Sequence, residues 1–292
     1  MDEGRIRRDL TVRKAGKIGM ILEPLFAYFF LWAPIIVLVV FSFNDSRSVA
    51  TWRGFTLRWY GNILSGAVGA EARFSTELML SALGTSLVVA LIATLIATVI
   101  GTAVSMSLVR GNYPGKSLVD GLLLLPVVIP EITQAVSLLL FFSAIFDFVG
   151  TTTGVRLSPG IGTVIIGHVV FNISYVAIVV RARLADMNPH LEEAASDLGA
   201  NPWRTFWRVT FPLILPGIIS GALLAFTLSL DDFVVTFFNS GPGTTTLPVY
   251  VYGLIKLSVS PEINALSTLM LLASTVLIGI SMALQGRNAG RG

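Results

Sequence analysis

Hydrophobic positions along this chain form long continuous blocks, separated by short polar segments. A helix needs about 20 mostly apolar residues to cross the hydrocarbon core of a bilayer. Blocks of this length favour membrane-spanning helices over the shorter amphipathic elements of a soluble core. The pattern predicts an all-α membrane protein with six transmembrane helices, at about residues 25–43, 78–109, 118–146, 161–184, 211–238 and 263–284.

Composition supports the bilayer as the solvent of this chain. Hydrophobic residues make up 54% of the sequence and charged residues 13%, whereas soluble domains contain roughly 25% charged residues. The net charge of +3 is small and its basic residues are scattered, which argues against a nucleic-acid surface. The chain has no cysteine, and its two histidines, His168 and His190, are far apart, so no metal site is predicted.

The distribution of lysine and arginine predicts the orientation. If the N-terminus is cytoplasmic, fourteen of the 20 basic residues lie on the inner side, as the positive-inside rule favours. Both termini are therefore expected in the cytoplasm. Residues 1–20 and 287–292 would be tails, residues 21–286 the transmembrane domain, and residues 185–210 the longest cytoplasmic loop. The first apolar block is too long for a cleaved signal peptide.

The segment GNYPGKS, residues 111–117, is similar to a nucleotide-binding loop. Such a loop requires four residues between its glycines and a preceding strand. Here three residues separate Gly111 from Gly115, and an apolar helical block precedes them. The segment is therefore interpreted as a cytoplasmic turn, rich in turn-forming residues, and not as an ATP site.

The loop 185–210 is predicted to form two short helices. Asn188 is a candidate N-cap for the first, and Gly199 a candidate C-terminal residue in the left-handed conformation. Leu191, Ala194, Ala195 and Leu198 share one face at helical spacing. One interpretation is an amphipathic segment on the bilayer surface, anchored by its tryptophans. The small Ala194–Ala195 pair instead favours insertion into a groove of a protein partner.

This loop resembles the EAA loop of permeases from ATP-binding-cassette (ABC) importers. Glu193-Ala194-Ala195 is followed after three residues by Gly199, and after nine more by Val209-Thr210-Phe211-Pro212. In that family the loop is a coupling helix that docks into a cleft of the ATPase subunit. The resemblance implies these ATPase-docking residues: Glu192, Glu193, Ala194, Ala195, Asp197, Leu198 and Gly199.

The resemblance extends to the spermidine/putrescine permeases. It includes residues 41–64, the segment SLDDF at 229–233 and the segment SPEINA at 260–265. It implies the type I importer permease fold and a location in the bacterial inner membrane. It also implies a second permease chain in a heterodimer, ATPase subunits and an external polyamine-binding protein. The chain itself would be no enzyme and hold no cofactor, because ATP and Mg²⁺ would be bound by the partner.

Intramembrane carboxylates are candidates for the substrate pathway. Placing a charge at the bilayer centre costs at least about 2.5 kcal/mol, so such residues are functional candidates. Glu131 follows the break expected at Pro126 and Pro130, and Asp231 and Asp232 lie in the fifth block. Adjacent helical residues point about 100° apart, so Asp231 and Asp232 do not both face one pathway squarely. The aromatic candidates are Phe233, Phe141 and Tyr175. His168 is interpreted as a packing residue.

Other functions remain open from the sequence alone. One alternative is an importer of the same class with a different cargo, such as an opine, an amino-acid derivative or ferric iron. A stand-alone secondary transporter would use the intramembrane Asp and Glu as ion sites. The Glu193–Gly199 segment discriminates between these classes, because a secondary transporter does not need an ATPase-docking surface.

Overall fold

The computed structural model of the protein describes residues 3–46, 51–65, 76–188, 190–257, 261, 263–269, 271–272 and 275–276. In this part of the chain every regular element is a helix, and an isolated bridge pairs Asn44 with Phe55. The all-α prediction is therefore confirmed. The described residues divide between two compact units, one drawn from Met1–Thr76 and Leu254–Gly292, the other from Glu77–Gly253.

The N-terminal part of the first unit includes two helices and described residues on either side of positions 47–50. The helices are α1 (Glu3–Phe41) and α2 (Arg58–Ser65). Asn44 connects the two sides, because its amide donates to the carbonyl of Thr51 and accepts from the N–H of Arg53, both at 2.9 Å. The Trp59 indole donates to the Asn44 carbonyl at 2.9 Å. Asn44 and Trp59 are buried, and these bonds satisfy polar groups on both side chains.

The remaining helices are named in chain order. They are α3 (Thr76–Arg110), α4 (Lys116–Val128), α5 (Glu131–Thr153), α6 (Ile161–Ala185), α7 (His190–Asp197), α8 (Pro202–Thr205), α9 (Phe211–Asp231), α10 (Val234–Asn239) and α11 (Leu247–Leu257). A π-helical segment, Phe206–Thr210, joins α8 to α9.

Five helical stretches in the described residues are long and apolar enough to cross a membrane. They are Leu22–Phe41, Glu77–Arg110, Glu131–Thr153, Ile161–Ala185 and Pro202–Asp231. The predicted sixth span, 263–284, lies partly outside the described residues; those of its residues that are described are helical. The C-terminal tail 287–292 also lies outside them.

Two of the predicted spans each comprise two helices, and the sequence anticipated the break only in the third. The third block breaks at Ile129–Pro130, where Ile129 is extended (φ −70°, ψ 135°), a conformation that a following proline favours. The fifth block breaks at Asp232, which is also extended (φ −63°, ψ 124°). Glu131 is consequently the first residue of α5, and Asp232 lies between α9 and α10.

Helix α6 forms the centre of the second unit. Its residues Val176, Val180 and Leu184 form a buried apolar cluster with Ile214 and Ala225 of α9. This close packing gives the two helices a common core, which positions the loop between them.

Small residues bring α3 close to α6. A Cβ atom on Gly101 would lie 2.9 Å from the Val176 Cβ, so a larger residue has no room there. One turn later, the Ser105 hydroxyl donates to the Ala177 carbonyl at 2.8 Å. Gly101 and Ser105 of α3 therefore pack against a helix of the same chain, as small residues do where membrane helices approach closely.

Candidate functional site

The break between α4 and α5 opens onto a cavity of about 290 Å³. Its lining comprises Pro126, Val127, Ile129, Glu131, Gln134, Phe171, Tyr175, Leu228 and Asp232. Two carboxylates and two aromatic rings thus converge on a space surrounded by apolar side chains. Carboxylates bind ammonium groups by charge-assisted hydrogen bonds, and aromatic faces attract cations. The lining suits a cationic ligand.

Asp232 has a structural function at this cavity. Its side chain is only 2% exposed, and one oxygen lies 3.1 Å from His168 Nε2. The same oxygen accepts from both the backbone N–H and the hydroxyl of Thr236, each at 2.8 Å, and its other oxygen accepts from the Val235 N–H at 3.2 Å. These bonds cap α10, because a carboxylate satisfies N–H groups in a first helical turn.

Three of the six predicted pathway residues line the cavity, and three do not. Glu131, Tyr175 and Asp232 belong to the lining. Asp231 ends α9, is exposed and does not belong to the lining. Phe233 packs against Tyr252, with ring centroids 4.5 Å apart. Phe141 is an exposed residue beside Phe142, outside the lining.

Sequence reasoning missed Gln134 and Phe171 as lining residues and underestimated His168. Gln134 is one turn from Glu131, and Phe171 one turn from both His168 and Tyr175. The helical spacing around Glu131 and Tyr175 was the signal for Gln134 and Phe171. His168 is fully buried and lies 3.0 Å from the Thr236 hydroxyl, so it packs as predicted and also contacts the Asp232 carboxylate.

The predicted two-helix form of loop 185–210 is present as α7 and α8. The Asn188 side chain accepts from the His190 N–H at 3.0 Å. Gly199 has φ +82°, and the Ala200 and Gly199 amides donate to the carbonyls of Ala195 and Ser196 at 3.0 and 2.9 Å. This is the Schellman pattern that closes a helix.

The outer surface of α7 is open. Leu198 is 90% exposed, and Glu193, Ala194, Asp197 and Gly199 are exposed with it. A second cavity of about 280 Å³ lies between α7 and the following segment, lined by Ala195, Leu198, Gly199, Ala200, Arg204, Thr205, Arg208 and Val209. Leu198 thus borders a concave surface that also contains the basic residues Arg204 and Arg208.

Glu192 differs from its neighbour Glu193. The Glu192 carboxylate binds the Arg110 guanidinium at 2.7 Å, where the two side chains are 22% and 32% exposed, and it also accepts from the hydroxyl of buried Thr210. Glu193 pairs with His190 at 2.7 Å, and both of these side chains are largely exposed. One carboxylate therefore faces the helices, and the other faces outward.

The segment 111–117 is a turn between two helices. It follows α3 rather than a strand, Gly115 is left-handed (φ +86°), and the Lys116 ammonium donates to the Gly111 carbonyl at 3.0 Å. The lysine thus closes the turn. Among the described residues, no group of three or more His, Cys, Asp or Glu side chains is arranged to bind a metal ion.

Comparison with known proteins assigns the family. The sequence model of the family described as "Binding-protein-dependent transport system inner membrane component" matches residues 97–291. This chain belongs to that family. The match includes both the acidic cavity and the loop 185–210, so the two sites lie within the family's shared region.

Relatives match over most of their length. The chain is 41% identical to the putrescine transport system permease protein PotI of Escherichia coli (strain K12), over 95% of this chain and 93% of that protein. It is 36% identical to the spermidine/putrescine transport system permease protein PotC of Haemophilus influenzae, over 89% and 94%.

A solved structure has the same fold. A chain of a bacterial ABC transporter involved in the import of the acidic polysaccharide alginate aligns with a TM-score of 0.71 at 18% identity, covering 97% of this chain and 99% of that chain. This similarity establishes the fold of an ABC importer permease, as the sequence predicted.

Proposed function

We propose that this chain is the permease subunit of an ABC importer that carries putrescine or spermidine into the cytoplasm by alternating access. The observation that carries the proposal is the 41% identity, over 95% of the chain, to a permease named for putrescine transport. The proposed partners are ATPase subunits, a different second permease chain and an external polyamine-binding protein. ATP hydrolysis belongs to the ATPase subunits.

The cavity supports a cationic cargo. Glu131 and Tyr175 line it together, and they offer an anionic acceptor and an aromatic face to an ammonium group. A polyamine must exchange the hydration of several ammonium groups for such acceptors. The helix break at Ile129–Pro130 also fits this role. Non-helical backbone within a membrane is tolerated where it lines a cavity.

The exposed surface of α7 supports docking of an ATPase. The proposed docking residues are Glu193, Ala194, Ala195, Asp197, Leu198 and Gly199, with Glu192 placed on the inner side of the same helix. An anionic segment with small residues and two exposed leucines, Leu191 and Leu198, fits a groove with basic and apolar walls. A secondary transporter would leave this surface without a partner.

The proposed orientation makes a labelling prediction. Because the chain has no cysteine, a single cysteine is introduced either at Asn112, in the turn after α3, or at Thr152, at the end of α5. Both positions are exposed. With both termini cytoplasmic, a membrane-impermeant maleimide added to intact spheroplasts labels Thr152→Cys, and labels Asn112→Cys only after lysis. The reverse pattern would contradict the orientation.

Uptake in proteoliposomes tests the cargo. The complete transporter is reconstituted into vesicles that contain ATP. Labelled putrescine and the external binding protein are then added outside. Saturable, ATP-dependent accumulation that excess spermidine inhibits, and an uncharged solute does not, is the expected result. Transport of an opine, an amino-acid derivative or ferric iron instead would retain the importer and overturn the polyamine cargo. Accumulation driven by an ion gradient without ATP would overturn the importer.

A further inference from the structure

We propose that Glu192 is a positioning residue that fixes the coupling helix α7 to the cytoplasmic ends of α3 and α9, and is not a contact for the ATPase. This inference rests on the proposed function. It assigns different roles to two adjacent carboxylates that the family resemblance groups together. The three residues Glu192, Arg110 and Thr210 are called the Glu192 junction below.

The junction joins three separate segments of the second unit. Arg110 is the last residue of α3, Glu192 lies in the first turn of α7, and Thr210 ends the π-helical segment before α9. One Glu192 oxygen receives both the Arg110 guanidinium, at 2.7 Å, and the Thr210 hydroxyl. A single carboxylate therefore holds all three ends.

Burial and helix dipoles favour this arrangement. The Glu192 and Arg110 side chains are 22% and 32% exposed, and Thr210 is buried, so solvent screens the pair less than it screens an exposed surface pair. Arg110 occupies the negative end of the α3 dipole and Glu192 the positive end of the α7 dipole. Glu193 shares neither Arg110 nor Thr210, and its side chain is 69% exposed.

The Glu192 junction connects α7 mechanically to helices that surround the cavity. α3 is packed against α6 at Gly101, and α9 extends from the junction to Asp231, next to the cavity residue Asp232. π-helical turns such as Phe206–Thr210 are frequent at functional sites. Without the carboxylate, α7 would dock on the ATPase and yet move without displacing α3 and α9.

The test separates docking from coupling. The variants are Glu192→Arg, Arg110→Glu and the charge swap that combines them, and the control is Asp120→Asn, which breaks the Asp120–Arg181 pair without involving α7. Two quantities are measured in nanodiscs. The first is the amount of ATPase subunit that co-purifies. The second is the ratio of ATP hydrolysis with and without the putrescine-loaded binding protein.

We expect the amount of co-purified ATPase subunit in each single variant to stay within about twofold of wild type. The stimulation ratio should fall by roughly fivefold or more, which is the lower end of the coupling measured between sites in proteins. The charge swap should restore part of that ratio, because the ion pair forms again although both charges then oppose the helix dipoles. Asp120→Asn should leave the ratio unchanged. Loss of co-purified ATPase in Glu192→Arg, to the extent seen for Glu193→Lys, would make Glu192 a docking residue and overturn the proposal. An unchanged ratio would overturn it as well.

A partner-free measurement keeps this inference separate from the proposed function. Hydrogen–deuterium exchange of the isolated chain in detergent should be faster at the amides of α7 and of residues 206–210 in Glu192→Arg, and should return toward wild type in the charge swap. Equal exchange in all variants would overturn the junction. A wild-type complex that putrescine does not stimulate, with this exchange pattern intact, would instead overturn the proposed polyamine cargo.

Discussion

Replacing Glu193 with lysine is expected to abolish polyamine uptake while the chain still inserts into the membrane. The side chain is exposed on α7 and contributes little to packing, so the fold should tolerate the change. At an interface with a basic groove, the reversed charge would cost about 2 kcal/mol or more, which corresponds to a complex weaker by roughly thirtyfold. Uptake of labelled putrescine and the amount of co-purified ATPase measure the effect.

The matched control is Asp186→Lys. It makes the same charge change at an exposed residue at the C-terminal end of α6, outside α7. This control should retain most of the uptake. Equal uptake by Glu193→Lys and the wild type would contradict the docking role of α7 and bring the secondary-transporter interpretation forward.

Replacing Glu131 with glutamine is expected to reduce polyamine uptake by about tenfold to a hundredfold, since a hydrogen bond to a charged group is worth about 1.5–3 kcal/mol. Glutamine has nearly the same shape as glutamate, so the cavity and the start of α5 should persist. Initial uptake rates over a range of putrescine concentrations measure the loss. The amount of chain in the membrane should remain at the wild-type level.

The adjacent carboxylates Asp231 and Asp232 provide a control and a contrast. Asp231→Asn changes a residue outside the cavity lining and should alter uptake much less than Glu131→Gln. Asp232→Ala removes the acceptor of His168 and Thr236. Leaving each buried partner unsatisfied costs about 1–3 kcal/mol, so the melting temperature in detergent should fall. Uptake by Glu131→Gln equal to that of Asp231→Asn would contradict the role of Glu131.

The sequence predicts the helical blocks better than it predicts where they break. The apolar runs of α3 and α6 are visible directly, because continuous hydrophobicity and length are sufficient to indicate them. Pro130 indicates the break before α5. The break at Asp232 has no proline signal. It depends on hydrogen bonds that the Asp232 carboxylate accepts from Thr236 and on its contact with His168.

Adjacent carboxylates show why the sites are only partly predictable. The sequence places Glu192 and Glu193 side by side on one helix, and only the tertiary structure brings Arg110 to Glu192. Likewise, an intramembrane aspartate has the same appearance in sequence whether it binds cargo or caps a helix, as Asp232 does. The residue types of Tyr175 and Glu131 were sufficient to make them candidates for binding a cation. Their convergence on one cavity depends on the packing of α4, α5 and α6.

The most direct test of the account is ATP hydrolysis by the complete transporter in lipid, with and without its external binding protein, across putrescine, spermidine and a panel of uncharged solutes. The account predicts that hydrolysis rises only when the binding protein carries a polyamine, because the cargo signal must reach the ATPase through α7. Stimulation by a different solute would contradict the polyamine cargo. The absence of any associated ATPase activity under all conditions would contradict the central claim that this chain couples a partner's ATP hydrolysis to transport.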